Sequence, residues 1–199
     1  MGNQENNQGD KGNKGRPYKA GYEYLLVYKI TVPIEDYTDE FCKRWIDKFS
    51  RTHDQMVQAA RSGSRNIVEG NQQEGLKGYI KLAGIARGSL AELLKDYHGY
   101  ARKNGLEVWE KERCEGEIRE IGEAWGVIRK TPTLPDNPDF PDLPENQEIA
   151  VNLMITLINQ ALYLQDRFIT SLKDKHMKEG GLTEELYRKR MEYRRNQNP

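Results

Sequence analysis

Residues that could carry catalysis or bind a metal are few in this chain and poorly spaced for either task. The three histidines, His53, His98 and His176, are far apart in sequence. No pair has the i, i+3 or i, i+4 spacing that places two imidazoles on one helix face for a metal ion. Cys42 and Cys114 lie outside any Cys-x-x-Cys pattern, which indicates free thiols rather than a disulfide framework or a zinc site. We therefore predict no metal site.

Nucleophilic catalysis is also unsupported. His53 and Asp54 lie near Ser62 and Ser64, but a hydrolase of this type needs a nucleophile elbow and an oxyanion hole, and the sequence offers neither. Di-iron helical proteins use a Glu-x-x-His motif, which does not occur here. The prediction is a protein that is not an enzyme and has no cofactor.

Basic residues provide the one functional signal in the sequence. Two pairs are spaced by four residues and so share helix faces, and a third group clusters near the C-terminus. These residues are Arg61 with Arg65, Lys77 with Lys81, and Arg188, Lys189, Arg190, Arg194 and Arg195. We predict that they contact RNA or DNA; the alternative is that they are ordinary solvated helix faces.

The net charge of zero conceals an uneven distribution. Residues 105–145 carry five cations against eleven anions, and the rest of the chain has a net charge of +6. A surface that faces nucleic acid is therefore possible on the part of the chain outside this acidic segment.

Helical patterns must position these residues. Apolar residues make up 36% of the chain and charged residues 31%, a composition typical of a helical protein with a large solvated surface. No apolar run approaches the roughly 20 residues that a membrane-spanning helix needs, so we expect a soluble, cytoplasmic protein with no membrane contact. The organisation predicted is a disordered tail over 1–20, a helical domain over 21–181 that contains an insertion over 105–145, and a basic helix over 182–199.

Apolar spacing by three and four residues predicts four long helices and their ends. In the first, which carries Trp45 and Phe49, Pro33 either occupies the first turn or lies within a longer helix that begins near Tyr24. Caps are predicted at Thr52, Asn71 and Thr183, and ends at Gly70, at Asn104-Gly105 and before Gly180. Between helices three and four we predict an acidic helix from Trp109 to Ile128 and then an irregular segment that contains five prolines.

Helices two and three are unusually rich in small residues. One face combines Ala59, Ala60, Gly63 and Ser64, and the face predicted to oppose it combines Ala83, Gly84, Ala86 and Gly88. Small side chains allow two helix backbones to approach closely. We therefore predict a tightly packed helix pair, in which Gly84 and Gly88 form a close-packing groove.

The same region resembles a known family. The blocks SRNIVEG over Ser64 to Gly70 and IARGSLAEL over Ile85 to Leu93 are similar to the signature of the bacterial four-helix bundle proteins. That family includes proteins encoded in intervening sequences of ribosomal RNA genes and the accessory variability determinant of diversity-generating retroelements. The signature residues here are Glu69, Gly70, Arg87, Gly88, Ser89 and Glu92.

The resemblance implies an all-α, up-down four-helix bundle that assembles as a homopentamer and partners nucleic acid and a reverse transcriptase without being an enzyme. This chain departs from the retroelement protein in its neutral charge, its acidic insertion and its C-terminal helix. We also expect Glu69 and Arg87 each to form a structural inter-helix pair or a cap rather than a functional site, since their neighbours are apolar and burial of an isolated charge would cost several kcal/mol. Two alternatives stay open: a protein-only assembly module that uses the acidic insertion, and an enzyme whose site forms between subunits.

Overall fold

A computed structural model describes residues 19–110, 113, 114, 116, 122, 125, 126, 129–135 and 138–197. The described chain is all-α, as predicted, and contains no strand. After a short 3₁₀ helix at Gly21–Tyr24 come α1 at Leu26–Trp45, α2 at Arg51–Asn71, α3 at Leu76–Lys103, α4 at Gln147–Glu179 and α5 at Leu182–Gln197. The tail predicted over 1–20 lies outside the described residues except for its last two. No described helix has the length and apolar character needed to cross a membrane.

Local chemistry accounts for the ends of α1 and α2. Pro33 lies inside α1, so the interpretation as one longer helix is confirmed. The N-cap of α2 is Ser50 rather than Thr52, because the Ser50 hydroxyl accepts the Thr52 backbone N–H at 3.2 Å. Phe49 falls in the turn between the helices and is 85% exposed, so it does not belong to the apolar face of α1.

The later helix ends agree with the sequence in part. Asn146 caps α4 by accepting two backbone N–H groups, and Gly105 and Gly180 adopt positive φ beyond the ends of α3 and α4. The predicted caps at Asn71 and Thr183 are wrong. Asn71 is the last residue of α2 and Gly75 is the N-cap of α3, while α5 already begins at Leu182.

The four long helices contact one another in a closed order. Helix α2 packs against α1 and α3, and α4 packs against α3 and α1. The main core lies between them and is centred on Phe41, whose ring contacts those of Trp45, Tyr97 and Tyr100 at centroid distances of 4.9, 5.0 and 5.1 Å. Trp45 is therefore partly buried.

The segment between α3 and α4 belongs to this core. Trp109, Trp125, Leu134 and Leu143 are all buried within it. The Trp109 indole N–H donates to Glu148 at 2.8 Å. The described residues between 113 and 130 are helical, but Trp109 itself lies in an irregular stretch over 106–110, so the helix predicted to begin there starts later.

Side chains of α1 also hold this segment, by donating to its main-chain carbonyls. Tyr37 Oη donates to Pro141 O at 2.6 Å, and the Arg44 guanidinium donates to Leu143 O at 3.0 Å. Lys29 Nζ donates to Thr131 O; the Lys29 side chain is buried, which lowers its pKa. Five of the sixteen residues over 131–146 are prolines, which lack an N–H group, and donors from α1 satisfy these carbonyls.

The close approach of α2 and α3 is confirmed at Gly63, one of the residues predicted on the packed face of α2, and it occurs also at Gly70. A Cβ on Gly63 would lie 2.8 Å from Cδ2 of Leu90, and one on Gly70 would lie 2.5 Å from the Tyr79 ring. Gly84 and Gly88 are exposed, and a Cβ on either would meet nothing within 4 Å. The predicted groove at Gly84 and Gly88 is therefore wrong, because these glycines turn away from α2.

Candidate nucleic-acid interface

The outward faces of α2 and α3 carry an excess of positive charge. Residues 51–103 expose eight Lys or Arg side chains against four Asp or Glu side chains. The cations are Arg51, Arg61, Arg65, Lys77, Lys81, Lys95, Arg102 and Lys103, and the anions are Asp54, Glu69, Glu74 and Glu92. The surface is basic although the whole chain is neutral, because much of the acid lies in residues 105–145.

These eight cations also lack an ion-pair partner among the residues that the structure describes. None of them forms an ion pair with another residue in the described part of the chain. On α1, by contrast, Lys43 pairs with Asp39, and Arg44 pairs with Glu40 one turn away. An unpaired exposed cation is available to a phosphate without first losing a partner.

The two predicted basic pairs lie at different positions along the axis of the α2–α3 pair. Helices α2 and α3 are antiparallel: Gly63 lies against Leu90, and Gly70 lies against Tyr79. Arg61 and Arg65 therefore lie along the middle of the pair, and Lys77 and Lys81 lie beside the C-terminal end of α2. At 1.5 Å per residue the two pairs are separated by more than one helical turn. They form a spaced row rather than one cluster.

Four cations of this face were missed from the sequence. Lys95 and Arg102 continue the line of Lys81 along α3, because steps of seven residues return to nearly the same side of a helix. Spacing by four residues does not reveal this spacing by seven. Arg51 and Lys103 lie at helix termini, where no periodic signal marks them.

The basic cluster on α5 is only partly available. Lys189 pairs with Glu185 at 2.6 Å, which lowers the pKa of that carboxyl, and Arg188 donates to the carbonyl of Glu179 at 3.0 Å. Arg190, Arg194 and Arg195 are exposed and form no ion pair with other described residues. Helix α5 therefore adds three free cations to those of α2 and α3.

Arg87 does pair between helices, but its surroundings differ from those predicted. Its guanidinium binds both carboxylate oxygens of Asp166 on α4, and this contact raises the pKa of Arg87 and lowers that of Asp166. The two side chains are 43% and 55% exposed, so the expectation of a charge enclosed by apolar residues is wrong. Glu69 is exposed as well and is not the partner of Arg87.

The remaining signature residues have separate positions. Ser89 Oγ lies 2.8 Å from Ser62 Oγ and so links α3 to α2. Gly70 allows the close approach of Tyr79. Gly88 and Glu92 are exposed on the outward face of α3. The signature therefore combines residues that pack the α2–α3 pair with residues that lie on the surface.

Potential metal ligands do not converge in the described part of the chain. Within it, no three His, Cys, Asp or Glu side chains are arranged so that they could hold a metal ion. Cys42 and Cys114 are free and buried, and burial raises the pKa of the Cys42 thiol to about 12. A thiol of that pKa stays protonated and is a poor nucleophile.

Comparison of the chain with protein-family models, with curated proteins and with solved structures found no match. The resemblance to the bacterial four-helix bundle proteins therefore stays a prediction based on its two motifs.

Proposed function

We propose that the protein is a non-enzymatic, homo-oligomeric binding or scaffold protein that contacts RNA or DNA through the outward face of α2 and α3. A nucleic-acid enzyme such as a reverse transcriptase is the protein partner that the resemblance implies. The single observation that carries the proposal is the set of eight exposed cations on α2 and α3 that have no ion-pair partner among the described residues. Phosphate contacts by such residues release bound counterions, which is the main source of non-specific affinity for nucleic acid.

The proposal includes an up-down four-helix bundle. Helices α1 to α4 contact one another in chain order, and α4 returns to α1. The connections between α1 and α2 and between α2 and α3 are short, which favours antiparallel neighbours. This arrangement leaves the outward faces of α2 and α3 free for a partner.

We propose next that the protein assembles as a homopentamer. Tyr163 is 61% exposed and Met177 is 75% exposed, and both lie on α4, outside the basic face of α2 and α3. Contact between copies would cover these apolar groups. Repetition of a weakly basic face around a ring multiplies contacts that are individually weak, so a modest charge per subunit supports useful avidity.

The acidic insertion is a weaker candidate for the main binding surface. Its buried residues Trp109, Leu134 and Leu143 are part of the core, and Glu145 lies 3.6 Å from Arg44 of the same chain. These contacts indicate that the acidic insertion has a structural role in the fold. No observation favours an enzyme site formed between subunits.

Fluorescence anisotropy with labelled single-stranded and duplex RNA and DNA at about 50 and 200 mM salt tests the proposal. The test variant replaces Arg61, Arg65, Lys77 and Lys81 with Ala. The control variant replaces four exposed lysines elsewhere with Ala and so loses the same charge: Lys43, Lys173, Lys175 and Lys178.

We expect the wild type to bind at low salt with a steep salt dependence. The slope of log affinity against log salt should fall by about 0.9 for each duplex phosphate contact that the test variant loses, and the control variant should keep most of the slope. Equal loss in both variants would show that only net charge matters and would refute an interface on α2 and α3. An absence of binding at low salt by an intact oligomer would refute nucleic-acid contact.

A further inference from the structure

Most apolar side chains of helix α5 have no packing partner among the described residues, although Leu182 lies beside Gly75 at the start of α3. Every residue from Leu182 to Gln197 is exposed. Among them are Leu182, Leu186, Tyr187, Met191 and Tyr193, of which Tyr187 and Tyr193 are each 63% exposed. An isolated helix of about this length is only marginally stable in water, so a helix with this many uncovered apolar groups needs another surface.

The spacing of three of these side chains defines a narrow stripe. Leu186 and Tyr193 are seven residues apart, and Leu182 precedes Leu186 by four. Alternating steps of four and three, or their sum of seven, are the pattern of the a and d positions of a coiled coil. With Leu186 and Tyr193 at a positions, Leu182 takes a d position, and Tyr187 and Met191 fall on the outer side of the helix.

Charges beside the stripe complement those of a parallel copy. In this register Glu185 occupies a g position and Arg190 the following e position. In a parallel coiled coil, a g residue faces the e residue five positions later on the neighbouring helix, so Glu185 of one copy meets Arg190 of the next. Lys189 occupies the central d position, and its Nζ lies 2.6 Å from Glu185 Oε1 of its own helix. A polar residue at a core position fixes the register of a coiled coil but lowers the stability of the coiled coil.

We infer that α5 packs in parallel against α5 of a second copy of this chain, through Leu182, Leu186 and Tyr193, with Glu185 paired to Arg190 across the contact. The inference rests on the proposed homo-oligomer, because two heptads are too short to associate strongly alone. Within an oligomer each tail experiences its neighbour at an effective concentration in the millimolar range. Cyclic symmetry also places neighbouring tails in the same direction, as a parallel seam requires.

This contact leaves part of the α5 charge free. Arg194 and Arg195 take b and c positions, which point away from the seam of a coiled coil. Pairing of two tails would therefore place the outer cations of both copies on the outside of one coiled coil.

Site-specific disulfide formation in the full-length protein tests the inference. Leu186→Cys places a thiol at the seam, and Met191→Cys places one on the outer side of the same helix as a matched control. The natural thiols Cys42 and Cys114 are buried and do not compete. After oxidation with diamide, a non-reducing gel should show covalent dimers for Leu186→Cys and only background for Met191→Cys. Equal yields, or no dimers from Leu186→Cys, would overturn the inference.

A charge reversal tests the Glu185–Arg190 pairing independently. In the Leu186→Cys background, Glu185→Arg should lower the dimer yield, and adding Arg190→Glu should restore it. A double reversal that stays as low as the single one would overturn the Glu185–Arg190 pairing.

Light scattering on the same samples separates the two proposals. An oligomer that gives no Leu186→Cys dimers refutes the α5 contact alone, whereas a monomer refutes the oligomer together with the contact that depends on it. Nucleic-acid binding is measured separately and does not enter this test.

Discussion

Two glycine-to-alanine substitutions distinguish the closely packed side of the α2–α3 pair from its exposed side. In Gly70→Ala the new Cβ would lie 2.5 Å from Cδ2 of Tyr79, 2.8 Å from Cε2 and 3.4 Å from Cβ of Leu82. The Tyr79 ring has little room to withdraw, because it packs edge-on against Phe168 at a centroid distance of 5.3 Å. In Gly84→Ala the new Cβ would meet nothing within 4 Å.

The expected free energies of unfolding follow from two opposing effects. Replacing an exposed glycine inside a helix with alanine stabilises it by about 1 kcal/mol, and Gly84→Ala should gain that amount. Forcing a methyl group into a packed contact costs about 1–3 kcal/mol. Gly70 is one residue from the end of α2, so its helix-propensity gain is smaller and the clash dominates. We expect Gly70→Ala to be about 2–3 kcal/mol less stable than Gly84→Ala.

Urea denaturation followed by circular dichroism measures both variants against the wild type. A protein of this size shifts its melting temperature by about 2–4 °C per kcal/mol, so thermal melts should separate the two variants clearly. If Gly70→Ala is as stable as Gly84→Ala, the assignment of the tight and open faces is wrong. Destabilisation by Gly84→Ala with a fall in oligomer mass would show instead that another copy covers that face.

Three further predictions concern the surface, the core and the assembly. Arg87→Ala should cost about 1 kcal/mol or less in a urea melt, because the Arg87–Asp166 pair is exposed; a loss of several kcal/mol would contradict this. Burial raises the folded-state pKa values of Cys42 and Tyr37 to about 12, above their ordinary values of 9.0 and 10.0, so the stability present at neutral pH should be lost as pH rises from 9 towards 12. Each group contributes up to about 1.4 kcal/mol per pH unit, and Cys42→Ala should flatten the loss between pH 9 and 10, which melts across this range would detect. Light scattering after size exclusion should give a mass of about five subunits; a monomer at micromolar concentration would refute the pentamer.

The candidate interface was predictable only in part. Spacing by four residues located Arg61, Arg65, Lys77 and Lys81, and all four are exposed and without ion-pair partners among the described residues. Whether a basic residue is paired depends on which acidic residue lies beside it in space. On α5, Lys189 is paired with Glu185, and nothing in the count of charges distinguished it from Arg190.

The sequence by itself determined the all-α class, the four long helices and several of their ends. These features depend on interactions within a few residues, such as the positive φ of Gly105 and Gly180, or on apolar periodicity along one helix. The uninterrupted α1 needed the tertiary structure, since the local chemistry of Pro33 allowed both a start and an internal position.

Only the tertiary structure decided which side of each helix is buried where several sides are built of small residues. Alanine and glycine fit equally well in a tight seam and on an open face, so composition did not distinguish Gly63 and Gly70 from Gly84 and Gly88. The same holds for the partner of Arg87, which is 79 residues away at Asp166, and for the burial of Trp109 and Leu143 in an acidic segment. Such contacts join distant parts of the chain, and their existence depends on how the helices are oriented as whole bodies.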